Sequence, residues 1–186
     1  MCCNLIHKEV IKTKNNLPLA LIALFCLIWF WFMPQRERAA AETHARQQDV
    51  LTHDIAAVAA YQSPYIGDAV NATHLFDALP LGDIAKKYHI NSAQCTLTVH
   101  YQDALERHDA QQIRRGAVYN AAAAFASIQN LSALTLEWED GAYSFSRAQV
   151  EAILGAPLPS PLDKAVWKLR VQARLSDPAF LAQFFA

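Results

Sequence analysis

Glycine and cysteine are both scarce in this chain, which has five glycines and four cysteines among 186 residues. Loops that hold phosphate groups with backbone N–H groups are rich in glycine, and neither a G-x-x-x-x-G-K loop nor a G-x-S-x-G turn is present. No C-x-x-C pair indicates a metal or redox site, and Cys95 is the only cysteine after residue 33. The sequence therefore does not support a nucleotide-binding enzyme, a serine hydrolase or a domain held by its own disulfides.

An excess of positive charge and a metal-binding histidine pattern are also missing. From Tyr61 onward the chain has ten Lys and Arg against twelve Asp and Glu, so it lacks the basic stripe of a nucleic-acid-binding surface. The seven histidines include no H-E-x-x-H sequence, which argues against a zinc hydrolase. We predict no metal site, no cofactor and no nucleic-acid partner.

The chain does have one long apolar run, from Leu17 to Met33, with no charge among its seventeen residues. As a helix this run is about 26 Å long, slightly short of the roughly 30 Å hydrocarbon core of a bilayer. Trp29 and Trp31 near its C-terminal end are typical of the membrane interface. We predict a single transmembrane anchor at residues 17–33, with the lipid bilayer as its partner.

The flanking residues bear on cleavage and orientation. A signal peptide cleaved after Ala41 stays open as an alternative, although the run is longer than most signal sequences and Arg36 and Arg38 precede that site. Three lysines precede the run, and a signal anchor usually has a short cytoplasmic tail. We predict a cytoplasmic tail at residues 1–16 and an extracytoplasmic main domain, with the opposite orientation as the remaining alternative.

After the anchor the sequence predicts a helical stalk and then one domain. Residues 34–60 are rich in Ala, Glu, Arg and Gln. A short apolar stripe at helical spacing is formed by Val50, Leu51, Ile55 and Val58. A stripe this short favours docking on the chain's own domain over a coiled coil. Residues 61–186 are long enough for one hydrophobic core.

Alternation of apolar and polar residues predicts the strands of this domain. Three segments with this pattern begin at Cys95, Leu134 and Tyr143, and the turn Asp140-Gly141 joins the last two as a hairpin. A fourth alternating segment, residues 167–175, predicts another strand although its composition also favours helix.

Capping residues predict the helices. Asn71 is suited to begin a short helix, a longer helix lies within residues 103–129, and Ser146 with Gln149 forms a capping box. The predicted fold class is α+β, with a mainly antiparallel sheet of about four strands and helices on one face. One transmembrane helix and the helical stalk precede it.

The second face of the predicted sheet is polar. Such a face can bind a ligand or a protein partner, or it can be a solvated surface with cross-strand ion pairs such as Glu137 with Arg170. His100 and Arg170 are the candidate binding residues on it. Its predicted members are Thr96, Thr98, His100, Glu137, Ser144, Lys168, Arg170 and Arg174.

Several short motifs resemble a bacterial family, the domain of unknown function DUF4825, over about residues 65–155. The motifs are Tyr65-Ile66-Gly67-Asp68, residues 72–80 (ATHLFDALP), Tyr119-Asn120-Ala121 and Phe145-Ser146-Arg147. The resemblance implies a domain tethered outside the cytoplasmic membrane by an N-terminal segment. It implies no activity and no catalytic residue. Tyr65 and Asp68 are further candidate binding residues, and the alternative for both is a turn or helix cap.

Two functions remain open. The first is a membrane-anchored, non-enzymatic, extracytoplasmic module that binds a protein, an envelope component or a small ligand in a sensory, regulatory or envelope role. The second is a membrane-tethered hydrolase, in which a strand-to-helix corner would bring together His100, Asp103 and His108. We expect the first, because no motif for a chemical reaction is present.

Overall fold

The computed structural model describes residues 17–158 and 162–185, without the side chains of residues 17–21, 23 and 34. The chain divides into two units, Met1–Glu42 and Thr43–Ala186. The cytoplasmic tail predicted at residues 1–16 lies outside the described residues.

The first unit contains most of helix α1, Leu17–Gln48. The large apolar side chains described between Ile22 and Met33 are 39% to 83% exposed. No helix in the part of the chain described here is both long and apolar enough to cross a membrane.

The second unit is built on a four-stranded sheet in which the strands follow one another in chain order. β1 and β2 are antiparallel, β2 and β3 are parallel, and β3 and β4 are antiparallel. The α+β class is confirmed, but the sheet is mixed, because its central pairing is parallel. The strands are β1 Lys86–Asn91, β2 Thr96–Tyr101, β3 Ala133–Trp138 and β4 Gly141–Ser146.

The connection from β2 to β3 explains the parallel pairing. Parallel neighbours need a crossover, and here helix α3, Ala110–Ser127, supplies it. Asp109 begins this helix by accepting a hydrogen bond from the backbone N–H of Gln112 at 2.7 Å. Thirteen of its eighteen residues are buried, so α3 lies in the interior of the unit rather than on its surface.

The shorter helices begin at side-chain caps. Ser146 accepts from the N–H of Gln149, and Gly155 ends that helix at a φ of 71°, so the predicted cap and the predicted end of this helix are confirmed. The reciprocal bond of a capping box is replaced, because the Gln149 amide donates to the carbonyl oxygen of Phe184 at 3.4 Å. Asp68 caps α2, and the prediction of Asn71 as its cap is wrong. These helices are α2 Ala69–Ala78, α4 Arg147–Leu154 and α6 Pro178–Ala182, with 3₁₀ helices at Ile55–Tyr61, Leu105–Arg107 and Gln183–Phe185.

The predicted strand at residues 167–175 is wrong, because this region is helical. Helix α5, Lys164–Trp167, continues as a π-helical turn, Lys168–Gln172, and a 3₁₀ turn, Arg174–Ser176. Asp163 caps α5 by accepting from the N–H of Val166 at 2.8 Å. The strand that completes the sheet is β1, which the sequence reasoning did not predict.

The segment before Tyr61 contributes to the core of the second unit. Val50, Ile55 and Val58 are buried in the same cluster as the sheet and α3, so three of the four residues of the predicted apolar stripe dock on the chain's own domain. The fourth, Leu51, is 39% exposed. Gln172 fastens this segment by donating from Nε2 to the carbonyl oxygens of Val50 at 2.9 Å and His53 at 2.8 Å.

Candidate functional site

One face of the sheet is packed into the core, and the other is open. The packed face carries Leu97, Val99 and Tyr101 of β2 together with the alternate residues of β3. The opposite side chains, which we call the open face, are all partly or fully exposed. They are Lys87, His89, Asn91, Thr96, Thr98, His100, Ala133, Thr135, Glu137, Ala142, Ser144 and Ser146.

The strand register arranges the open face in three rows of four, about 4.8 Å apart from strand to strand. The first row consists of Lys87, His100, Glu137 and Ala142. The second row is His89, Thr98, Thr135 and Ser144, and the third is Asn91, Thr96, Ala133 and Ser146. The open face therefore carries ionisable side chains in its first row and at His89, and small, mostly hydroxyl-bearing side chains over most of the remainder.

Few side chains of the open face are bonded to each other. His100 Nδ1 lies 3.0 Å from Glu137 Oε2, and the hydroxyls of Thr135 and Ser144 are 3.1 Å apart. The side chains of Lys87, His89, Thr96 and Thr98 have no hydrogen-bond or ion-pair partner among the described residues. Their donors and acceptors are available to a ligand. The open face can therefore form hydrogen bonds to a partner that lies across the sheet.

The four candidate binding residues do not form one site. His100 lies on the open face as predicted. Arg170 lies on the π-helical turn after α5, so its predicted place on the sheet and its predicted pairing with Glu137 are both wrong. The predicted places of Lys168 and Arg174 on the sheet are also wrong, because these residues lie in the π-helical turn and the 3₁₀ turn.

Tyr65 and Asp68 lie in the turn before α2. Asp68 accepts a hydrogen bond from the N–H of Asn71 at 2.9 Å, which is the cap role given as its alternative. Tyr65 is 68% exposed, and its backbone N–H and carbonyl both bond to the hydroxyl of Ser63. Turn and cap chemistry thus accounts for the backbone of this segment, and the exposed ring of Tyr65 is left for solvent or a partner.

The three residues of the hydrolase alternative fall into two separate pairs. His108 Nε2 lies 3.0 Å from Asp103 Oδ2, whereas His100 pairs with Glu137. The backbone N–H of Ala104 donates to Asp103 and, with His108 and Arg107, holds the pKa of that carboxyl below its usual range. Within the described residues, no three His, Cys, Asp or Glu side chains are grouped closely enough to hold a metal ion.

A buried polar group that the sequence reasoning missed lies between α3 and the segment after α1. His53 is 3% exposed, and its Nε2 donates to the carbonyl oxygen of Ala78 at 2.9 Å. Its Nδ1 therefore accepts from the hydroxyl of Tyr119 at 2.7 Å. Burial lowers the pKa of His53 and raises that of Tyr119, so both side chains are neutral.

Three members of the open face on β1 were also missed, namely Lys87, His89 and Asn91. The signal was present, because Tyr88 and Ile90 alternate with them. Two consecutive lysines at the start of the strand weaken that pattern. Lys86 takes an inward position, where its side chain is 4% exposed and donates to the carbonyl oxygen of Gly82 at 2.6 Å.

The fold and the open face define a small α+β domain with one covered and one uncovered sheet surface. Residues 58–148 match the model of a family described as a domain of unknown function (DUF4825), which confirms the resemblance over that range. The match includes α2, α3 and all four strands. No curated protein and no solved structure matches the chain.

Proposed function

We propose that this protein is a membrane-anchored, extracytoplasmic and non-enzymatic module, and that its open face binds a protein, an envelope component or a small ligand. Residues 17–33 anchor it in the bilayer, residues 1–16 remain in the cytoplasm, and the domain acts outside in a sensory, regulatory or envelope role.

The open face is the observation that carries the binding role. An antiparallel or mixed sheet can leave one face to water, so an uncovered face alone does not require a ligand. Here, however, the second row joins a free histidine and a free threonine to a hydroxyl pair across all four strands. A flat surface with so many free donors and acceptors, and so few large side chains, suits a partner that hydrogen-bonds across several strands.

The sequence of α1 supports the anchor. Its run of seventeen uncharged residues begins where the helix begins, at Leu17, and Trp29 and Trp31 lie near the end of that run. These tryptophans are 57% and 71% exposed, a degree of exposure that is unfavourable in water and favourable at a lipid interface.

Labelling of Cys95 tests the orientation. Cys95 lies in the turn between β1 and β2 and is partly exposed. A membrane-impermeant thiol reagent should label it in intact cells whose outer envelope is permeable, under mildly unfolding conditions. Labelling of the variant Cys95→Ser measures the background from Cys2, Cys3 and Cys26, which is subtracted. Labelling of Cys95 only after lysis would show that the domain is cytoplasmic.

Photo-crosslinking in cells tests the open face as the binding surface. A crosslinking amino acid at Thr98, in the middle row, should give a discrete adduct of the full chain. The same amino acid at Gln111, an exposed position on α3, is the matched control and should give none. Equal adducts from both positions, or none from Thr98, would contradict the proposal.

The hydrolase alternative retains one supporting observation, the pairing of Asp103 with His108. A carboxylate that orients a histidine is one part of a general-base arrangement. If this pair is catalytic, the purified chain should hydrolyse an ester, peptide or phosphoester substrate, and His108→Asn should abolish the activity while Arg107→Gln retains it. Activity that survives His108→Asn would remove this alternative.

A further inference from the structure

The helical region from α5 to its 3₁₀ turn carries four cations between the capping residues Asp163 and Asp177. Residues 164–176 (KAVWKLRVQARLS) contain four cations and no Asp or Glu. Lys164 pairs with Asp54 at 2.6 Å, and Arg174 donates to the carbonyl oxygens of Leu154 and Ile153. Lys168 and Arg170 are exposed and have no hydrogen-bond or ion-pair partner within the described ranges. Two of the four cations are thus available to a partner outside the domain.

The same surface exposes apolar side chains. Leu169 is 72% exposed and Val166 is 39% exposed, although Trp167 and Val171 beside them are buried. A leucine between two free cations contributes nothing to the core of this domain. Cations that flank exposed apolar residues on one helix surface are typical of helices that lie at a membrane interface. We call Val166, Lys168, Leu169 and Arg170 the basic-apolar patch.

The helical region that carries the patch contacts the segment that follows α1 in the chain. Gln172, on the buried side of the same helix, donates to the backbone of Val50 and His53, and Lys164 pairs with Asp54. Val50 is two residues after Gln48, the last residue of α1. The element that carries the patch is therefore fastened to the segment through which the domain is tethered.

We propose that the basic-apolar patch docks the domain onto a lipid surface of negative charge. This inference rests on the proposed anchor, which would hold the patch at a high local concentration near the membrane. Lys168 and Arg170 bind anionic headgroups, and Leu169 and Val166 enter the boundary between headgroups and acyl chains. The free charges of the patch are all positive, so an anionic bilayer is its electrostatic complement.

Hydrogen exchange of the full chain in lipid nanodiscs tests this docking. Backbone amides around residues 166–170 should exchange about thirtyfold more slowly in phosphatidylglycerol discs than in phosphatidylcholine discs, in line with the attraction of two surface cations to anionic lipid. The double variant Lys168→Gln/Leu169→Ser, which keeps Arg170, should lose most of this difference. Val70→Ser/Arg107→Gln removes an equally exposed apolar side chain and one cation elsewhere, and should retain it.

Three outcomes would overturn the docking proposal. The first is an equal rate of amide exchange in the two kinds of disc. The second is a difference between the discs that is unchanged in the Lys168→Gln/Leu169→Ser variant. The third is slower exchange around residues 166–170 that appears only when polyglutamate is added to the chain in detergent. The last outcome would indicate an acidic protein partner.

The anchor is measured separately, by flotation of the chain with phosphatidylcholine vesicles in high salt. If the chain floats but its amides exchange equally in the two kinds of disc, the proposed anchor is supported and the proposed docking of the patch is contradicted. A chain that does not float has no anchor, and exchange with and without added phosphatidylglycerol vesicles then tests the patch alone.

Discussion

At the scale of single residues, Arg147 joins the loop between α3 and β3 to the loop that follows α4. Its guanidinium donates to the carbonyl oxygens of Leu131 at 2.8 Å and Ile128 at 2.7 Å, and also to that of Leu158. It also lies over the ring of Phe125, and burial lowers its pKa. Arg147 is one of the residues that carried the family resemblance, and the structure gives it a structural role.

We predict that Arg147→Lys lowers the free energy of unfolding by about 2 to 4 kcal/mol, because one ammonium group cannot reach three carbonyl oxygens and leaves some of them unpaired. Urea denaturation of the domain measures this. Arg107→Gln, at an exposed ion pair, should change the free energy of unfolding by about 1 kcal/mol or less. A lysine variant as stable as the parent would show that the three bonds do not matter.

His53 makes the stability of the domain depend on pH. Burial lowers the pKa of the folded histidine below its ordinary value of 6.5, so below that pH the unfolded chain binds a proton that the folded chain does not. Stability should therefore fall as the pH drops below 6.5, by up to about 1.4 kcal/mol per pH unit from this group, and level off below the folded pKa.

His53→Gln is the matched test, because a glutamine amide can donate to Ala78 and accept from Tyr119 without titrating. The variant should have a flatter dependence of unfolding free energy on pH between 7 and the folded pKa. His89→Gln, at an exposed position, should retain the parent slope. Identical slopes for the parent and His53→Gln would mean that His53 is not buried as described.

At the scale of elements, the error at residues 167–175 has a simple geometric cause. An alternating pattern repeats every two residues, and every second member of it repeats every four, which is also a helical spacing. Trp167, Val171 and Leu175 are the members that repeat every four and are buried, whereas Leu169 lies between them and is exposed. Lys, Ala, Leu, Arg and Gln are strong helix formers, and this composition was the better guide.

The parallel pairing of β2 and β3 was within reach of the sequence. The helix within residues 103–129 was predicted between these two strands, and a helix between neighbouring strands is the usual crossover of a parallel pair. The β3–β4 hairpin and the Ser146 cap depend on local residues and were predicted more easily. Which strands are neighbours depends on long-range packing, and single-sequence patterns carry little of that information.

The segment before Tyr61 should be required for folding. Val50, Ile55 and Val58 are each 4% exposed or less, and burial of such side chains contributes about 1.5 to 3 kcal/mol each. A fragment of residues 61–186 should therefore lose most of the 5 to 15 kcal/mol that stabilises an ordinary domain. Circular dichroism in urea should show a cooperative transition for residues 43–186 and a weak or absent one for 61–186. Equal transitions would place the start of the domain at Tyr61.

At the scale of the whole molecule, the open face was the part of the candidate site that the sequence predicted best. Thr96, Thr98, His100, Glu137 and Ser144 all lie on it, since strand alternation fixes which side chains share a face. Its width across four strands was not predictable once β1 was missed and residues 167–175 were placed in the sheet. The buried contact of His53 with Tyr119 joins residues 66 positions apart and has no local signal.

The most direct test of the open face as the binding surface combines crosslinking with a blocking substitution in the full chain. A photo-crosslinking residue at Ser144 should give an adduct in cells. Thr98→Arg, two strands away in the same row, should abolish that adduct by covering the face, while Gln111→Arg on α3 should leave it unchanged. An adduct from Ser144 that persists with Thr98→Arg, in a chain that still folds, would contradict the assignment of this face as the binding surface.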